Sequence, residues 1–343
     1  MTSGTEISDR LTSTRRRNTI LLCAAGMAAL TAATVSAQTL KFVPLGSIPG
    51  PVELIKVEGT YAYVAAARTL TIFNVSNPAA PIREGAYTFP EKIWGFRLAG
   101  SLAYVADDFF GLGILDVSNA AAPVLRGSIK TPGQAKNVAI VGGKAVVADH
   151  MSGVDYVDVS NSAKPVSLGS FFVDGYSRDV AAAGSLAYAV DSPTGLYVFD
   201  LSKPGPLEAV SEQQSASAST SRVIAISDAP AAEGPTLAVL MGGGLLQVYD
   251  VSNPASPVKT ATFRLPGGPG AQRGSIKGKL AYIANGREGL QVVDLSMPAM
   301  PMIVGAYQTV SLARDVAVKD SLVFVVVGAG EGKGEVLILR QTP

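Results

Sequence analysis

The chain has one cysteine, one histidine, one tryptophan and few charges. Each scarcity excludes a class of chemistry. Cys23 is the lone thiol, and it lies within the first 37 residues. Without that segment the chain has neither disulfides nor thiolate chemistry. His150 is the lone imidazole, so a multi-histidine metal site cannot be built. A Ser-His-Asp arrangement has only that one histidine to draw on. Charged residues make up 16% of the chain, and the formal net charge is +1. That balance gives no electrostatic footprint for nucleic acid. Sustained helical periodicity is missing as well. What the chain has in quantity is apolar residues, 48% of it, cut into short β-prone runs.

Residues 1–37 read as a secretory signal peptide. Arg15, Arg16 and Arg17 form a basic cluster, and small apolar residues follow from Ile20 to Val35. Val35-Ser36-Ala37 then offers small residues where a signal peptidase reads. The run is too short and too rich in Ala, Thr and Gly for a membrane span. An uncleaved N-terminal anchor is the competing reading. Leu22, beside Cys23, is too bulky for lipoprotein cleavage. The segment carries four arginines against Glu6 and Asp9, so its loss takes the net charge from +1 to about −1. The expected product is residues 38–343, long enough for a self-sufficient core. Its expected location is periplasmic or extracellular, as a monomer with no stable membrane insertion.

One phrase organises the rest. It reads LTIFNVSNPAAP (70–81), LGILDVSNAAAP (112–123) and VDYVDVSNSAKP (154–165). It returns as LYVFDLSKPGP (196–206), LQVYDVSNPASP (246–257), LQVVDLSMPAMP (290–301) and, truncated, VLILR (336–340). The polar residue after the apolar run is Asn74, Asp116, Asp158 and Asp200, each 42 residues from the last. It then falls at Asp250, Asp294 and Arg340. Each unit holds four β-prone runs separated by turn residues. In the third run apolar residues fall on both faces, as in Ile72 and Phe73, Val198 and Phe199, or Val292 and Val293. Such a strand needs cover on both sides, which like sheets stacked on either side supply. Four strands per unit at this period predict an all-β, seven-bladed β-propeller of four-stranded antiparallel blades. A linear solenoid is the rival. The opening LKFVPLGS (40–47) resembles a fourth run (VSLGS, 166–170), and nothing resembling one follows VLILR. The ring is therefore expected to close by pairing 40–47 with the C-terminal blade.

These units resemble the LVIVD repeat family, whose core is Leu-x-Val-x-Asp-Val-Ser-Asn-Pro after an Arg-Asp-Val-Ala-Val strand. LQVYDVSNP (246–254) and RDVAV (314–318) carry the likeness. It covers nearly all of 40–340 and implies the propeller fold and an exported setting. It implies no defined reaction and offers no catalytic residues.

The second-to-third and fourth-to-first loops should share one face, here called upper. Aligning the units there gives a ring of Glu53, Trp94, Lys136, Arg178, Arg222, Gln272 and Arg314 at the start of the innermost strands. Its four cations suggest an anion at the channel rim. The competing reading is that Arg178-Asp179 and Arg314-Asp315 are repeat-borne pairs locking adjacent blades. Candidate binding residues are Trp94, Phe109, Phe110, Lys136, His150, Arg178, Arg222 and Arg314, over blades two to four and around the ring. Asp107, Asp149 and Asp191 recur at matching positions and read as turn caps. The run GAGEGKGE (328–335) lacks the spacing and the Ser or Thr of a phosphate loop. The expected function is a binding or scaffolding module for a protein, glycan or small anion. No cofactor, no metal and no catalytic residue is expected. A hydrolase or lyase at the channel mouth is the alternative.

Overall fold

The computed structural model describes residues 39–192, 195–203, 205–214, 223–226, 236–330 and 333–343. They form seven four-stranded antiparallel sheets, with no helix among the described residues. Six sheets are four strands consecutive in the chain. The seventh joins Ala313–Lys319, Leu322–Gly330 and Lys333–Thr342 to Lys41–Pro49, from the other end of the chain. The first strand of every blade touches the first strands of both neighbouring blades, and blade seven closes on blade one. The fold is a seven-bladed β-propeller, as the repeat predicts.

Packing explains why third strands are apolar on both faces. Buried apolar side chains form seven clusters, one at each blade interface. Val198 packs toward blade five, while its neighbour Phe199 packs toward blade three. Val292 and Val293 divide in the same way between blades seven and five. At roughly 25 cal/mol per Å² of apolar surface, such burial supplies the stability that disulfides provide elsewhere.

The repeated phrase turns out to be turn chemistry. The side-chain oxygen of Asn74, Asp116, Asp158, Asp200, Asp250 or Asp294 accepts from the amide of the serine two residues on, at 2.7–3.0 Å. Asn77, Asn119, Asn161 and Asn253 then do the same for the next turn. These Asx turns end the third strand and aim the chain outward. The recurrent aspartate is thus a structural cap.

Each fourth strand carries a bulge at one place. Glu84, Arg126, Leu168, Val210, Thr260 and Val304 are skipped in the pairing with the third strand. In the closing strand Leu45 is skipped between Pro44 and Gly46. Residues 43–47 therefore reproduce 166–170 down to the irregularity. The residue after the bulge meets the turn of the next blade. A Cβ on Gly46, Gly85 or Gly127 would lie 2.4–2.5 Å from a backbone oxygen of that turn (Pro78, Ala120 or Ser162). Only glycine allows that approach. Blade six has no such turn ahead of it, and Leu40 stands there instead, bonded through its amide to Val304 O at 2.7 Å and bridged to Gly305. The N-terminal segment closes blade seven and also caps blade six.

Candidate functional site on the upper face

Short bridges fix which loops share the upper face. Asp108 pairs with Ala135, His150 with Ser177 and Gly286 with Ala313. Each second-to-third loop thereby clips onto the first strand of the next blade. Asp108 and His150 hold positive φ, 38° and 53°, where blade six has Gly286 at 54°. A side chain in that region costs about 1 kcal/mol. The repeat tolerates glycine there, yet blades two and three carry a carboxylate and an imidazole.

The sector over blades two to four is built around Trp94. A register shift between Ile93 and Gly95 turns Trp94 out of the pairing, and the residue is 36% exposed. Lys92 Nζ lies 4.6 Å and Lys136 Nζ 4.1 Å from the ring centroid. Each cation–π contact is worth about 0.5–1 kcal/mol at an exposed site. Two ammonium groups near one ring repel, and each has its own counter-charge. Lys92 pairs with Glu53 at 3.4 Å, and Lys136 with Asp108 at 3.4 Å. Burial lowers the Lys136 pKa most; Asp108 opposes this and Arg178 adds to it. Next to this group His150 stacks on Tyr176 with centroids 4.9 Å apart, and the Arg178 guanidinium lies 5.7 Å from the same ring. Burial, then Lys136 and Arg178, push the His150 pKa down, so the stacked imidazole is neutral at neutral pH. Phe109, Met151 and Phe172 are exposed around the sector, whereas Phe110 is half-buried.

The structure therefore brings together Trp94, Lys136, His150 and Arg178, has Phe109 and Phe110 follow Asp108, the partner of Lys136, and leaves Arg314 elsewhere. The Arg314 Nε donates to Gly328 O at 3.1 Å within blade seven. Arg222 lies outside the described residues. The blade-locking partner is the aspartate of each pair, not the arginine. Asp315 Oδ2 accepts from Ile55 N of blade one at 3.0 Å, and Asp179 accepts from the Asn137 amide of blade three.

The recurrent carboxylates are buried caps, but of the inter-blade connection rather than of their own turn. Asp149 accepts from Thr131 Oγ1 at 2.7 Å and Gly133 N at 2.5 Å. Asp107 accepts from Glu91 N at 3.4 Å, and Asn285 donates to Pro266 O at 3.0 Å in blade six. A Cβ on Gly175 would sit 2.5 Å from Asp191 Oδ1, so this carboxylate too fills the connection's concavity. Burial pushes Asp107 up to about 6 and Asp149 up to about 7, the latter also through its neighbour Asp155. Among the described residues no three His, Cys, Asp or Glu side chains group as metal ligands.

Below the upper rim the channel holds a cavity of about 920 Å³. Its wall includes Lys56, Arg97, Asn137, Asp179, Arg273 and Asp315, and it extends to Glu58, Lys277 and Lys319 at the lower mouth. None of the six described ring residues lines it. Reading the sequence at the ring position alone misses Lys56, Arg97 and Arg273. The signal that finds them is departure from the repeat. Lys56 and Arg97 stand where RDVAV has its Ala, and Arg273 stands where it has Asp.

The comparisons with known proteins agree on the fold and are silent on activity. No curated protein matches the chain. Among solved structures, Raptor from Chaetomium thermophilum superposes with a TM-score of 0.70 at 11% identity over 90% of this chain. The chain spans about 30% of the length of that Raptor chain. The computationally designed Ika8 protein superposes with a TM-score of 0.61 at 8% identity, over 87% of this chain and 98% of its own. At such identities the likeness is one of fold alone. The LVIVD repeat model matches residues 49–88, 94–131, 132–173, 174–211, 240–263 and 269–309. With its Asx turns, post-bulge glycines and blade-locking aspartates accounted for, the chain belongs to the LVIVD repeat family.

Proposed function

We propose that this propeller is an exported binding module that docks a protein partner on the upper face over blades two to four. The observation that carries the reading is Trp94, flanked by two lysines, on a face whose loops also expose Phe109, Met151, Phe172 and Tyr176. Large apolar side chains at loop tips lose hydration cost when covered. Aromatic anchors ringed by cations suit an acidic segment that carries its own apolar side chains. A protein fits better than a sugar because the apolar groups come from three connections rather than one flat platform. The left-handed backbone at Asp108 and His150 supports the same reading, since strain of this kind persists where a side chain has to be presented.

The test uses mature protein as bait against the exported fraction of its native host. Wild type is compared with Trp94→Ala and Phe109→Ala. Loss of the same retained polypeptide from both variants, at an unchanged thermal midpoint, is the expected result. An unchanged retained set, or midpoints lowered by several degrees with retention intact, makes these side chains packing and removes the proposal. Export has its own check. N-terminal sequencing from the host should begin at Gln38, and a retained Met1 in the membrane fraction contradicts it.

A further inference from the structure

We infer that the channel cavity is a second, separate binding site, for a small organic monocarboxylate with an apolar body. The wall is sorted by chemistry at one level. Strand register places Lys56, Arg97, Ala139, Ala181, Ala225, Ser275 and Ala317 opposite Tyr63, Tyr104, Val146, Tyr188, Val239, Tyr282 and Phe324 of their second strands. These are equivalent positions in seven blades, so the seven residues share one level of the channel. Five are alanine or serine, which leaves the space open. The two long side chains are both cations and stand on neighbouring blades.

Neither cation has a structural task. Among the described residues, no hydrogen bond or ion pair engages the Lys56 or Arg97 head group. The nearby carboxylates already accept hydrogen bonds of their own. Asp315 accepts from Ile55 N and Val316 N, and Asp179 from Val180 N and the Asn137 amide. Lys56, Arg97 and Arg273 against Asp179 and Asp315 leave the chamber one positive charge in excess, which a monoanion balances. Lys56 is half-exposed only to channel solvent and is otherwise enclosed. Its pKa is lowered, first by burial and then by Arg273 and Arg97, with Asp315 and Asp179 opposing. An anion beside it relieves that cost. The opposite wall, at Ala139, Ala181 and Ala225, carries short apolar residues and no charged head group, so it takes the ligand's apolar end. Arg273 roofs the chamber by bonding Trp94 O at 2.9 Å. Lys277 and Lys319 at the lower mouth bond to Asp320 O and Gly59 O, holding the rim hairpins while presenting positive charge to an arriving anion.

Calorimetric titration of residues 38–343 with benzoate, acetate and inorganic phosphate tests the site. Benzoate should bind one to one, more tightly than acetate, and phosphate should not compete. Lys56→Met and Arg97→Met should each weaken benzoate at least about tenfold, some 1.4 kcal/mol, with the thermal midpoint maintained because neither head group holds a hydrogen bond or ion pair among the described residues. Ala181→Leu should weaken benzoate and spare acetate. Lys164→Met, at an exposed turn, controls for net charge. Benzoate affinity independent of Lys56 and Arg97, phosphate taken in preference to benzoate, or no binding of any monocarboxylate to folded wild type at about 10 mM overturns the inference. Because Trp94 presents its side chain outside this cavity, loss of the upper-face interaction and loss of the carboxylate are separable results.

Discussion

Arg273 Nη2 donates to the backbone carbonyl of Trp94 at 2.9 Å, joining blade six to blade two across the top of the channel. The same residue pair therefore touches both proposed sites. A hydrogen bond from a charged donor contributes about 1.5–3 kcal/mol when buried, and solvent at this exposed position brings it to about 1 kcal/mol. Arg273→Met should lower the thermal midpoint by about 2 °C in a chain of this size. Trp94 is the sole tryptophan, so its fluorescence reports the strut directly. Acrylamide quenching should rise in the variant. Identical quenching and midpoint would mean that the strut holds nothing.

Stability should fall as pH rises from about 4 to 7. Asp149 and Asp155 lie buried and face each other, and Asp155 Oδ2 has no hydrogen-bond donor unless a proton is held between the two. The folded Asp149 pKa, about 7, stands above its unfolded value of 3.8. The folded state thus binds more protons in that window. Its stability is full below about pH 4 and is lost as pH rises through 7, by an amount on the order of 2–4 kcal/mol. Asp107, raised to about 6, acts in the same sense. His150 acts oppositely, its lowered pKa removing stability as pH falls below its unfolded value of 6.5. Asp149→Asn should flatten the decline between about pH 4 and 7 in a series of thermal melts. A decline of undiminished slope would locate the titration elsewhere.

Gly85→Ala places a methyl group 2.4 Å from Ala120 O and 2.7 Å from Ala121 O, both backbone atoms of the neighbouring blade's turn. The turn must move, at a cost of about 1–3 kcal/mol. Gly127→Ala meets Ser162 O in the same way and should cost about as much. Urea unfolding gives the number. A cost under about 0.5 kcal/mol for both would show that the blades slide freely at this contact.

Deleting 39–48 should damage the ring more than any point change. It removes the strand paired with Lys333–Thr342, the buried Ile48, and the Leu40 cover on Gly305. An unpaired edge is left in blade seven, and such edges recruit other chains. The thermal midpoint should drop by more than about 5 °C and light scattering should rise on storage. A midpoint equal to that of the parent would place the closure elsewhere.

The fold was legible because the repeat encodes its own turns. Asp116 and Ser118 make an Asx turn, and the match of 43–47 to 166–170 includes the residue skipped at the bulge. These are local signals of fixed spacing. The upper-face sector was half legible. Trp94 stands out as a departure from the cations of its ring, but the His150–Tyr176 stack depends on a bridge between one blade's loop and the next blade's strand. No spacing announces that contact. Arg314 looked equivalent to Arg178 by repeat position, yet its guanidinium turns to Gly328 O. Lys56 and Arg97 become a pair only when register sets them level with Ala139 and Ala181. Burial and level in a closed ring are properties of the assembled sheets, which a linear alignment of repeats does not carry.

The strand that completes blade seven is among the first parts of the propeller to be synthesised, and its partner is the last. Residues 41–49 have nothing to pair with until 333–342 exist. Bringing those segments together costs roughly 5 kcal/mol of loop-closure entropy, which the preceding blades reduce as they stack and bend the chain into an arc. The propeller therefore closes only once residues 333–342 have been made. A chain released early, or clipped before residue 333, keeps six blades and an open seam, and that seam distinguishes an unfinished molecule from a finished one.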